Sequence, residues 1–164
     1  MPDRETIQRA HADARQGKSA STQAGEFVRE EMHHIREGKH GARSPKQAIA
    51  IGLSKARRAG VKLRAPGRGK ASSRTRRQAR RDLRKGRRGA GRVSARRSRA
   101  ARGALRREST RAASRSSLSR QSRSAARRRS AASRQSAARK AAATKGPARR
   151  SAAARKAART RRSR

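Results

Sequence analysis

The chain has 164 residues, 51 of them Lys or Arg and 9 Asp or Glu, for a formal net charge of +42, and it contains no Cys, Trp or Tyr. That composition excludes a disulfide framework, a thiol nucleophile and cysteine-ligated metal centres. Ile, Leu, Val and Phe total only 13 residues, too few for the core of an ordinary globular enzyme; beside so large a charge they read as a largely unfolded chain.

The charge divides the chain. Residues 1–64 hold 14 basic and 7 acidic side chains, whereas residues 65–164 hold 37 and 2. Pro66 and the glycines of RAPGRGK mark the boundary. The fold class read from this pattern is a small all-α head, residues 1–64, followed by a low-complexity Arg/Ala/Ser-rich basic tail, residues 65–164.

Three helices are predicted in the head. The first, about 3–16, begins at Asp3, a residue able to cap free backbone N–H groups, and stops at Gly17; Ile7 is its one large apolar side chain. The second, about 23–37, follows Ser21 and Thr22, lines one face with Phe27, Val28, Met32 and Ile35, and stops at Gly38. The third, 45–59, has Ser44 at its N-cap, Pro45 in the first turn and Gln47 placed for a capping box. Gly60 ends it, and Val61 can fold back on Ala56. Ile49, Leu53 and Ala56 form its apolar stripe. The second and third helices, joined by GKHGARS, predict an antiparallel helical hairpin. Their connection is longer than the tight turn of a DNA-reading helix-turn-helix, and no recognition helix stands out. Such a head is marginal alone, so a homodimer through its apolar stripe is expected.

Leu83, Val93, Leu105 and Leu118 are the only large apolar side chains between residues 65 and 164. Their burial cannot offset the entropy of ordering so long a segment. Ala and Arg favour helix, but crowded like charges oppose it. The tail is therefore expected to be intrinsically disordered when free and partly helical when bound, with breaks near Gly86 to Gly91 and at Gly146 and Pro147.

Each cation that meets a phosphate releases a condensed counterion, which makes double-stranded DNA the expected partner. Arg supplies 32 of the tail's 37 cations, and a guanidinium grips phosphate with two donors and fits a narrow minor groove. GC-rich codon usage would produce the same preference. The lack of aromatic platforms and the scarcity of Asn and Gln argue against single-strand or base-specific reading, so contact is expected along the sugar-phosphate backbone. The candidate nucleic-acid-binding residues are Lys55, Arg57, Arg58, Lys62, Arg64, Arg68, Lys70, Arg74, Arg76, Arg77, Arg80, Arg81, Arg127, Arg128, Arg129, Arg149, Arg150, Arg161 and Arg162. RNA offers the same phosphates, so an RNA- or ribosome-associated protein is the alternative. A plasmid- or stress-related interaction module with a nonspecific anchor is a third reading. An anionic membrane is disfavoured because no hydrophobic face accompanies the charge.

Catalysis, metal binding and cofactor binding are not expected. His33 and His34 are adjacent on a helix and point about 100 degrees apart, no third ligand stands near them in sequence, and His11 and His40 could join them only through tertiary structure. Glu30 and Glu37 lie two helical turns apart, and a head this small encloses no substrate. GRGK at 67–70 lacks the spacing of a phosphate-binding P-loop. The first residues are charged from position 3 and contain no apolar run, so neither a secretory signal nor a membrane span is read there. The expected location is the cytoplasm, in a bacterium the nucleoid.

The segment STQAGEFVREEMHHIREGKHGARSPKQAIAIGLSKARRAGVKL, residues 21–63, resembles a family of small, basic, uncharacterised bacterial proteins loosely labelled DNA-binding or plasmid-stabilisation. GKHGARSPKQAIAIGLSKARRAG is its distinctive part. Residues 65–164 are similar in composition to bacterial histone-like proteins and to the C-terminal tails of linker histones, with more Arg and fewer prolines. The resemblance implies DNA binding and brings no catalytic residues with it.

Overall fold

Helices occupy most of the chain on both sides of residue 65. A computed structural model describes residues 2–89 and 94–162. Among them lie seven α-helices: α1 (Arg4–Arg15), α2 (Ala20–Arg36), α3 (Pro45–Arg58), α4 (Ser73–Arg88), α5 (Ala95–Arg106), α6 (Arg115–Arg127) and α7 (Ala131–Arg162), with a 3-10 turn at Thr110–Ala113. The chain divides into two units, residues 1–121 and 122–164.

Serine punctuates the fold. Ser19, Ser44, Ser72 and Ser94 stand at the N-caps of α2, α3, α4 and α5, and each side chain accepts a backbone N–H from the first turn. At α3 the Ser44 Oγ accepts from Gln47 N at 3.3 Å, while Gln47 Oε1 accepts from Arg43 N at 2.9 Å. The box thus closes one residue further out than the sequence pattern suggests. Helix α2 starts earlier than its pattern predicts because Ser19, not Ser21 or Thr22, provides the cap. Asp3 occupies the N-cap position of α1 but makes no capping bond with its side chain; its carboxylate turns to His34 instead, at 3.2 Å.

In the unit 1–121, α1 and α3 both pack on α2, and α4 packs on α3. Two clusters fill the interior. One joins Ala10, Ala24, Phe27, Ala56 and Val61, with Ile7, Leu53 and Leu63 at its margin. Val61 folds back as its sequence position suggests, donating its N–H to Ala56 O at 3.1 Å. The other joins Met32, Ile35, Ala42 and Ala48 to Ala112 and Ala113, with Val28, Ile49 and Leu118 packed against it. At the α2–α3 contact Gly52 lets the backbones approach: a Cβ there would lie 2.7 Å from Val28 Cα.

The expected disordered tail is overturned by α4, α5, α6 and α7, which make the region beyond residue 65 helical. The compact unit also continues past residue 64 to Gln121. Two physical facts explain the difference. Ala and Arg are strong helix formers, and serine caps start successive helices. Large apolar side chains were also the wrong measure of burial, because Ala79, Ala112 and Ala113 are buried where backbones come close. Gly41 N donates to Leu105 O at 2.9 Å and Ala42 N to Ser109 O at 3.0 Å, seating the 105–114 segment on the α2–α3 loop. Gly86 lies inside α4, but the helix ends at Arg88 and the chain leaves it through Gly89 (φ 78°), within the expected break; Gly91 and Val93 lie outside the described residues.

In the unit 122–164, α7 has no buried residue and is exposed over most of its length. Its helical dihedrals fail at Gly146 (φ 67°, ψ 170°), immediately before Pro147, where the sequence places a break. Among the described residues no helix is long and apolar enough to cross a membrane.

Candidate nucleic-acid interface

Helix α4 has a polar inward face. Ala79 and Asp82 are buried, and Gly86 lies so close to α3 that a Cβ would overlap the Arg57 carbonyl. These positions follow a helical stride of three and four, which fixes the opposite face. There Arg74, Arg77, Arg81, Arg84 and Arg88 form an exposed row about 21 Å long at 1.5 Å per residue. Arg80 and Arg87 flank it, and Leu83 provides an apolar floor to the groove between Arg77, Arg80, Arg81, Arg84 and Arg87. A second groove on the same unit is lined by Val61, Lys62, Arg64, Leu83, Gly86 and Arg87 together with Arg57 and Gly60.

The candidates named from sequence separate into two groups. Lys62, Arg64, Arg68, Lys70, Arg74, Arg77, Arg80 and Arg81 are exposed, as are Arg127, Arg128, Arg129, Arg149, Arg150, Arg161 and Arg162 on the second unit. Arg76 is half-buried, with its Nε enclosed. Arg129 reaches Ser133 and Arg150 reaches the Gly146 carbonyl, both within α7 or its first turn.

Lys55 and Arg57 are committed inside the fold, and Arg58, though exposed, is engaged by a buried acid. Lys55 Nζ lies 2.7 Å from Glu31 Oε2 and donates to Glu30 Oε1 at 3.1 Å. Burial penalises its ammonium, but the two carboxylates more than offset this, so its pKa stands above the ordinary lysine value. Arg57 is buried and donates to the carbonyls of Leu63 (3.1 Å), Leu53 (3.5 Å) and Arg64 (3.5 Å), clamping the end of α3 to the chain that follows it. Burial lowers its pKa, with nearby Asp82 acting in the opposite sense. Arg58 Nε pairs with buried Asp82 at 2.8 Å.

Residues 15–68 match DUF6496, a family of unknown function. The matched stretch takes in α2 and α3 and ends before α4, so the arginine row lies outside it. The family carries no DNA-binding, plasmid-stabilisation or histone-like description. No curated protein and no solved structure matches the chain.

Sequence reasoning missed Arg84 and Arg88 as members of the exposed row. The signal was present as a spacing of 3, 4, 3 and 4 from Arg74, but a run so dense in arginine masks its own periodicity. The orienting residue is Asp82, the one acid of α4: in a cationic helix, a lone acid marks the face that turns inward.

Proposed function

We propose that the chain is a histone-like, largely sequence-nonspecific DNA-binding protein that neutralises backbone phosphate and compacts or bridges duplexes. The observation that carries this reading is the exposed arginine row on α4. The second unit adds to it, with 16 Lys or Arg and no acid across residues 122–164.

Like charges at helical neighbour positions oppose each other by about 0.2–0.5 kcal/mol per pair. A row of five therefore stores repulsion that a polyanion relieves, with counterion release as the driving term. The single Phe27 is buried in the core, so base stacking has no support among the described residues and the phosphate backbone is the surface that fits. Two separately basic units suit the bridging of duplexes. A nucleoid location follows from this partner and belongs to the same proposal.

Anisotropy titrations of the full chain against unrelated duplexes of equal length test the reading, with structured RNA as competitor at matched phosphate. Affinities within a few-fold of one another and weaker competition by RNA are expected. Equal competition by RNA would make phosphate polymers in general the ligand, and a strong preference for one duplex would overturn nonspecific binding.

A further inference from the structure

The acids of this cationic protein are not scattered. Glu30 and Glu31 on α2 are buried, at 4% and 1% exposure, and Asp3, His34, His40 and Lys55 gather around them. Gly38 makes the gathering possible: its positive φ of 73° reverses the chain after α2 and returns His40 to the helix it has just left.

Both histidines of the cluster are prepared in the same way. His40 Nδ1 lies 3.1 Å from the Gly41 carbonyl. A carbonyl can only accept, so Nδ1 is the donor there, and Nε2 is turned to Glu31. His34 Nε2 lies 3.2 Å from Asp3 Oδ2 and in the same way is the donor to it. One ring nitrogen held by an oxygen and the other left open is the arrangement that orients metal-bound imidazoles.

Glu31 supplies the independent observation. Its side chain is almost wholly buried, yet Oε1 receives no hydrogen bond. Lys55 forms an ion pair on the Oε2 side, while Oε1 faces His40 Nε2 at 3.4 Å. A metal ion in that gap would take a lone pair from each of Nε2 and Oε1. Metal–ligand bonds of about 2.0–2.1 Å at the tetrahedral angle put two zinc ligands about 3.3–3.4 Å apart.

We infer that Glu31, His34 and His40 form a binding site for a divalent transition metal of the zinc class. One ligand atom from each lies within 4.8 Å of the other two, and the longer edges close by side-chain rotation. Two imidazoles and one carboxylate suit Zn²⁺, with a fourth position left for water. Charge favours a dication: the carboxylates of Glu30, Glu31 and Asp3 outnumber the single ammonium of Lys55 in the cluster. A second set, Asp3, Glu30 and His34, shares one histidine. Glu30 accepts from Lys55 Nζ and from Asp3 N, whereas Oε1 of Glu31 is left without a hydrogen bond; that open oxygen marks the first set as the site and makes Asp3 an orienting partner of His34.

The site would pin α2 to the 39–44 loop. That loop carries Gly41 and Ala42, on which the 105–109 segment is seated, so metal binding would stabilise the whole N-terminal unit.

The test is titration of untagged, chelator-treated full-length chain with Zn²⁺ by calorimetry and with Co²⁺ by visible absorption, alongside circular dichroism. One ion per chain, an intense tetrahedral Co²⁺ spectrum and a higher Tm with Zn²⁺ are expected. His34→Ala and His40→Ala should each weaken binding by more than about 100-fold, and Asp3→Asn by about 10–100-fold as an outer partner. His33→Ala and His11→Ala should bind as wild type. Absence of saturable uptake by wild type, a Co²⁺ spectrum without tetrahedral intensity, or undiminished uptake by a helical His40→Ala variant would overturn the assignment. Should His40→Ala fail to fold, the wild-type stoichiometry and Co²⁺ spectrum decide alone.

Discussion

Arg58 Nε lies 2.8 Å from Oδ1 of Asp82, and this pair ties α4 to α3. Ser54 Oγ donates to the other carboxylate oxygen at 2.8 Å, and Gln78 Nε2 to Oδ1 at 3.1 Å. Three donors on one buried acid hold the cationic helix in register, with its arginine row outward.

Asp82→Asn should destabilise the protein by about 1–3 kcal/mol. Arg58 is 48% exposed, so water screens part of the loss and the cost stays below that of a fully buried ion pair. Urea unfolding followed by circular dichroism measures it. An unchanged midpoint would mean that α4 is not docked through Asp82.

Two glycines should respond to the same substitution with opposite signs. Gly103, within α5, has open space around it, with the nearest atom to a new Cβ at 3.9 Å on a flexible arginine; Gly103→Ala should therefore stabilise by up to about 1 kcal/mol through helix propensity. Gly86 faces the Arg57 carbonyl, and Gly86→Ala should destabilise by about 1–3 kcal/mol because the contact must open. Thermal unfolding of the pair gives both signs, and equal stabilisation of the two would refute the close α3–α4 approach.

The helix caps explain how much of this fold was legible. Ser44, Pro45 and Gln47 announce α3, and Gly60 with Val61 announces its end, because those signals act within one turn of chain. The docking of Ala112, Ala113 and Leu118 on Met32 and Ile35 was not legible. Alanine carries no signal of burial unless the closeness of the backbones is already known. The site followed the same division. Exposed cations such as Arg77 and Arg81 could be named from composition, whereas the burial of Arg57 and the pairing of Lys55 with Glu31 depend on tertiary approach. The return of His40 to His34 depends on the turn at Gly38, and spacing along the chain does not encode it.

Arg57 separates structure from binding. Its guanidinium is spent on three backbone carbonyls, so Arg57→Gln should cost about 1–2 kcal/mol of stability and leave the salt dependence of DNA binding unchanged. A reduced salt slope in a variant that remains folded would return Arg57 to the phosphate-binding set.

The central claim is that the exposed arginine row of α4 contacts phosphate. The most direct measurement is the slope of log Kd against log salt on duplex DNA for the full chain and for the triple variant Arg77→Gln, Arg81→Gln, Arg84→Gln. Each lost phosphate contact reduces the slope by about 0.9, so the triple variant should fall by about 2.7. A wild-type slope already near zero, or a triple variant with the wild-type slope, would contradict the account.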